Sequence, residues 1–101
     1  MQAKPRYIVL FYDHCEDIRT MKQLLYDLPL PVIVDCVENF QQLLEHLDNG
    51  LPDLIVVYVN APGKRYMDHL KSLRVNNGID EIPVYVFTEL PEKQTLIDLM
   101  N

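Results

Sequence analysis

Two rhythms alternate along the chain: short continuous apolar runs, and apolar stripes at helical spacing. Leu54 to Val59 (LIVVYV) is unbroken and rich in β-branched residues, with Gly50 and Pro52-Asp53 before it and Pro62-Gly63 behind. A strand buried on both faces reads this way, and such strands belong to parallel sheets covered by helices. Tyr7 to Tyr12 (YIVLFY) predicts the first buried strand. Val32 to Val34 predicts a short second strand, with Asp35, Cys36 and Val37 at its exit. Ile82 to Phe87 predicts a fourth, in which Pro83 suits only the first positions.

Between the runs lie the helical stripes. Ile18, Met21, Leu24, Leu25 and Leu28 mark the first helix, with Glu16 and Asp17 at its positive end and Pro29-Leu30-Pro31 stopping it. Asn39 reads as the N-cap of the second, with Gln42 placed to reach back as in a capping box. Phe40, Leu43, Leu44 and Leu47 form its buried stripe, and Asn49-Gly50 ends it. Met67, Leu70 and Leu73 mark a third helix that stops at Asn76-Asn77-Gly78. Pro91 sits in the first turn of a fourth, whose apolar face is Leu96, Ile97 and Met100.

Four strand–helix pairs in strict alternation predict one domain over residues 1–101, a three-layer α/β/α arrangement around a parallel sheet. The expected strand order is 2-1-3-4, a flavodoxin-like order without its fifth strand. In such sheets the functional crevice lies at the carboxyl ends of the strands where the order reverses, which here carry Asp13, His14, Tyr58 and Asn60.

Composition narrows the partners. The chain is 49% hydrophobic and 24% charged with a net charge of −6, so it should repel nucleic acid and anionic lipid as a whole. No apolar run approaches the roughly 20 residues of a membrane span, and Met1 to Arg6 leads directly into a strand. Cytoplasm is the expected location. Cys15 and Cys36 read as two reduced thiols, with a redox pair as the rival.

The order and spacing of several motifs resemble those of response-regulator receiver domains. PDLIVVYVNAPG is similar to the family's P-D-L-I-L-L-D-V-M-M-P-G, and YIVLFYDHCEDIRTMKQLL is similar to its first strand and helix, with Glu16-Asp17-Ile18-Arg19 in register. PGKRYMDHLKSLR matches its third helix. The resemblance covers nearly the whole chain. It implies that Asp13 falls on the first acidic position, His14 on a magnesium-ligand position and Tyr58 on the phosphoacceptor. It also puts Asn60 where a backbone carbonyl completes the metal site, and Thr88 on the hydroxyl residue that holds the phosphoryl group.

The departures define the expected function. An acyl phosphate needs a carboxylate, and a hard cation beside it needs oxygen ligands. Tyr58 and His14 replace two of the three acids. A phenol with an ordinary pKa of about 10 is neutral at pH 7. The family's lysine and aromatic residue on a fifth strand have no counterpart, so either the chain is a fragment or the last β-α unit is absent. The implied function is a phosphorylation-independent receiver-like module, a degenerate pseudo-receiver of a two-component or phosphorelay system. It would be no enzyme, would need no cofactor or metal, and would act by contact with a kinase or effector through the region of the fourth helix. A small-ligand domain for an anion or nucleotide on the same fold is the alternative. An exposed strand 4 edge also makes a homodimer, through that edge or through exchanged elements, an expectation.

Individual residues carry open readings. Tyr58 reads as a ring that caps the vacated pocket, with phosphorylation or ligand stacking as its rival. His14 reads as solvent-facing, against a phosphoacceptor or transition-metal role beside Asp13 and Cys15. Thr88 is a local strand end or a retained switch. Lys64, Arg65 and Tyr66 form a solvated helix start or a partner-binding patch. His46 and His69 fall on predicted helices without a partner pattern.

Overall fold

Every side chain of strand β3 (Leu54–Val59) is buried, so the sheet around it must be covered on both sides. The structure, a computed structural model, describes residues 4–13, 17–59, 67–68, 70–71 and 81–100, with Asp13 described by its backbone alone. Strand β1 (Arg6–Asp13) pairs in parallel with β3 on one side and with β2 (Val32–Val37) on the other. Strand β4 (Val84–Phe87) pairs in parallel with the far side of β3. The order is β2-β1-β3-β4, the flavodoxin-like order that the alternation of runs and stripes predicts.

Strand periodicity sorts the core into two layers. Ile8 and Leu10 of β1, Val34 of β2 and Leu54, Val56 and Tyr58 of β3 point to one face. There they meet Met21, Leu25 and Leu28 from helix α1 (Ile18–Tyr26) and its exit, and Leu96 and Met100 from helix α3 (Lys93–Met100). Val9, Phe11, Val37, Ile55, Val57 and Val59 point to the other face. They meet Leu43 and Leu47 of helix α2 (Phe40–Asn49), and Leu70, which is helical together with Met67, Asp68 and Lys71. Phe11 and Phe40 stack obliquely, with ring centroids 4.8 Å apart.

Several boundaries differ from the sequence reading. Strand β2 does not end at Val34: Asp35, Cys36 and Val37 pair with Val9, Leu10 and Phe11. A carboxylate is tolerated there because β2 is an edge strand and the Asp35 side chain keeps 47% of its surface in water. Strand β4 starts one residue after Pro83, whose carbonyl still accepts from the Ile55 amide at 3.0 Å. Helix α3 starts two residues after Pro91. Leu73 and the Asn76-Asn77-Gly78 stop of the third predicted helix lie outside the described residues.

The caps of α2 follow the sequence closely. Asn39 Oδ1 accepts from the Gln42 amide at 2.9 Å, and Gln42 Oε1 accepts from the Glu38 amide at 2.8 Å, one residue earlier than a standard capping box. Gly50 follows the helix at φ +157°, ψ 142°, a region open essentially to glycine alone. A Cβ there would meet no atom within 4 Å, so the backbone is the sole objection to a side chain. Gly50→Ala is therefore expected to cost about 1–3 kcal/mol, read as a lower urea midpoint with an unchanged slope. Leu96→Ala, which opens the fully buried contact of α3 with the α1 face, is expected to cost about 2–5 kcal/mol in the same measurement. A loss below 1 kcal/mol would mean that α3 does not pack there.

Candidate functional site

At the carboxyl ends of the central strands, the register sets Tyr12 beside Tyr58 and Tyr58 beside Phe87. Paired residues of parallel strands share a face, so three aromatic residues form a row across β1, β3 and β4 on the α1 face. Tyr58 is 3% exposed and belongs to the apolar cluster that contains Met21, Leu25 and Leu96. Phe87 packs against that cluster. The position at which the resemblance places an acceptor carboxylate is therefore part of the hydrophobic core. An ionised carboxylate in those surroundings would need a cation or several donors to offset its desolvation, whereas a phenol buries most of its surface as hydrocarbon.

Tyr12, at the outer end of the row, is half-buried, and its hydroxyl donates to Glu38 Oε1 at 2.8 Å. Glu38 follows β2 directly, so the bond ties the carboxyl ends of β1 and β2 together. The phenol is held neutral to higher pH than usual, first by this hydrogen bond and then by burial and the Glu38 charge. Thr88 is exposed immediately after β4. Asp13 ends β1 opposite Val59, with only its backbone described. His14, Asn60, Lys64, Arg65 and Tyr66 lie outside the described residues, as do Cys15 and His69.

A second polar group lies at the opposite end, on the α2 face. The Tyr7 hydroxyl donates to the Asp35 carboxylate, and His46 Nε2 of α2 stands 3.8 Å from Asp35 Oδ2. His46 thus has a partner that its helix position did not reveal. With Asn49 and Gly50 these residues line a recess of about 260 Å³. The Tyr7 backbone is pinned as well, its amide donating to Asp53 Oδ2 at 2.9 Å and its carbonyl accepting from the Asp53 amide at 2.8 Å. Burial, and then the hydrogen bond and charge of Asp35, push the Tyr7 phenol up to about 12.

On the α1 face at that same end, Lys4 and Arg6 stand over Leu30, Ile97 and Met100 between Pro29 and Pro31, around a recess of about 310 Å³. Cys36, half-buried in β2, is a free thiol whose pKa burial raises, which makes it a poor nucleophile. Among the described residues no group of three or more His, Cys, Asp or Glu could hold a metal ion, and no helix is long and apolar enough to cross a membrane.

No protein-family model matches the chain, and no curated protein does. The sequence reading singled out the residues of the receiver motif and passed over Tyr12–Glu38 and Tyr7–Asp35–His46. Tyr12–Glu38 and Tyr7–Asp35 each join residues more than 25 positions apart, which the register between β1 and β2 brings together, and His46 reaches Asp35 from α2.

The Tyr7 environment has a direct spectroscopic consequence. A raised phenol pKa means that the folded state favours the neutral form. Its contribution to stability is complete below about pH 10 and is lost as pH rises from there through about 12. Absorbance titration of the phenolates should therefore show a late-ionising tyrosine that disappears in Tyr7→Phe and titrates earlier in Asp35→Asn. An unchanged late step in Tyr7→Phe would assign it to another tyrosine.

Proposed function

We propose that this chain is a receiver-like signalling module that works by protein–protein contact and without aspartyl phosphorylation, as part of a two-component or phosphorelay-type system. One observation carries the reading. On a sheet of order β2-β1-β3-β4, the residue at the acceptor position is Tyr58, buried in the apolar layer under α1 and α3. Phosphoryl transfer to such a ring would require it to leave the core. At the end of the neighbouring strand the Tyr12–Glu38 pair sets a neutral donor on a carboxylate, which is the wrong charge for stabilising an incoming phosphoryl group.

The module is accordingly not an enzyme in this reading. Its partners are a kinase or an effector that recognises its surface, and its location is the cytoplasm, where such systems keep their soluble parts. A small-anion-binding role on the same fold has one observation in its favour, the Lys4 and Arg6 pair over an apolar recess. That recess is at the amino end of β1, away from the crevice in which sheets of this order hold their ligands.

The two readings separate in one set of measurements. Incubation with acetyl phosphate and magnesium should leave the intact mass unchanged, and magnesium with beryllium fluoride should leave the melting temperature within 1 °C, where about 2.7 kcal/mol of stabilisation accompanies a ligand at a hundred times its Kd. An added phosphate on the crevice residues would overturn the phosphorylation-independent reading. A rise in melting temperature with inorganic phosphate or a nucleotide alone, lost in Lys4→Gln/Arg6→Gln, would favour the anion-binding one.

A further inference from the structure

The two edges of the sheet are finished differently. On β2 the Arg6 amide donates to the Pro31 carbonyl, so Pro31, Ile33 and Asp35 turn their backbone groups toward β1 while Val32, Val34 and Cys36 turn theirs outward. Tyr26, at the end of α1, covers part of that edge, its hydroxyl accepting from the Val34 amide at 3.4 Å. On β4 the Ile55 amide donates to the Pro83 carbonyl, so Pro83, Tyr85 and Phe87 face β3. The amides and carbonyls of Val84 and Val86 face outward, and β4 pairs with no strand but β3 among the described residues. All four β4 side chains are half-buried, as an edge strand's should be.

Handedness says whether this chain could cover that edge itself. Helix α1 carries the chain from β1 to β2 over one face, and α2 carries it the opposite way, from β2 to β3, over the other face. Crossovers between parallel strands are almost always right-handed, so travel toward the β4 side belongs to the α2 face. Helix α3 leaves β4 on the α1 face. A strand laid down directly after α3 would therefore go toward β2 and would not reach the outward groups of β4.

Charge bears on what could cover that edge. Glu81 precedes β4, and Glu89 and Glu92 follow it, all three exposed. A second copy paired two-fold and antiparallel about Tyr85 would set Glu81 of each copy against Glu89 of the other, and each copy carries a net charge of −6. We infer that β4 is a docking edge for an extended segment of a partner protein, β-branched at alternate positions and flanked by lysine or arginine, which adds as a fifth strand. Main-chain bonds to Val84 and Val86 hold it, and the flanking glutamates choose it. This deepens the protein-contact reading by naming the partner's chemistry. Loss of peptide binding would leave the phosphate-transfer measurement untouched, so the two can fail separately.

The probe is a labelled peptide of alternating valine and threonine with two lysines at each end, compared with a twin that carries glutamates instead. Anisotropy should show binding of the basic peptide that weakens with salt, and at least tenfold weaker binding of the acidic twin. The Val84 and Val86 amides should exchange with solvent faster than those of Tyr85 and Phe87 in the free protein and become protected in the complex. Val86→Pro removes an outward donor without removing a ladder bond and should abolish binding. Glu81→Lys/Glu89→Lys, two exposed changes that do not depend on strand geometry, should reverse the preference between the peptides. Failure of both peptides to bind, equal binding of the two, or a dimer in sedimentation that Val86→Pro makes monomeric would each overturn the inference.

Discussion

Burial of β3 on both faces is the constraint from which the rest follows. Six consecutive side chains without access to water cannot alternate between core and solvent, so each face of the sheet needs its own apolar cover. The chain meets this with α1 and α3 on one side and with α2 and the helical residues around Leu70 on the other. Strand periodicity then assigns every neighbouring residue to a layer. Leu54, Val56 and Tyr58 share one face with Ile8 and Leu10, while Ile55, Val57 and Val59 share the other with Val9 and Phe11. A one-residue slip of any strand would exchange its two faces, which is why the register is tightly held.

The same parity decides the chemistry of position 58. An even-numbered residue at the end of β3 points into the layer under α1 and α3, beside Tyr12 and Phe87. Only a group that loses little by leaving water can rest there without a cation or a set of donors beside it. A phenol satisfies that condition better than a carboxylate. One side chain thus completes the aromatic row and fills this end of the apolar layer.

How much of this was legible in the sequence depends on the range of the interaction. Continuous runs exposed the strands, and 3.6-residue stripes exposed the helices, because both signals are local. The Asn39 cap was legible for the same reason, since its bond to the Gln42 amide spans three residues. Strand β2 was read too short because Asp35 looks like a turn residue, and only the Tyr7 hydroxyl and His46 around it show how a carboxylate is accommodated in an edge strand. The stripe Leu96, Ile97 and Met100 said that α3 has an apolar face, but not which side of the sheet it covers. That choice is tertiary, and it determines which edge of the sheet stays open.

The polar groups fall into a pattern that bears on where recognition can occur. At the carboxyl ends of the strands, Tyr58 is buried and the Tyr12–Glu38 bond ties β1 to the end of β2. A ligand that displaced either would have to offset a lost charge-assisted hydrogen bond or the exposure of a buried ring. At the amino ends, the Tyr7 hydroxyl donates to Asp35, its amide donates to Asp53, and His46 stands 3.8 Å from Asp35. Among the described residues, Tyr12, Glu38, Tyr7 and Asp53 have spent polar groups on internal bonds. The backbone of β4 has not: Val84 and Val86 present donors and acceptors whose alternative partner is water, and forming a strand there requires little rearrangement of the folded chain. Among the described residues, the outward main chain of β4 is where the sheet still has hydrogen bonds to be made.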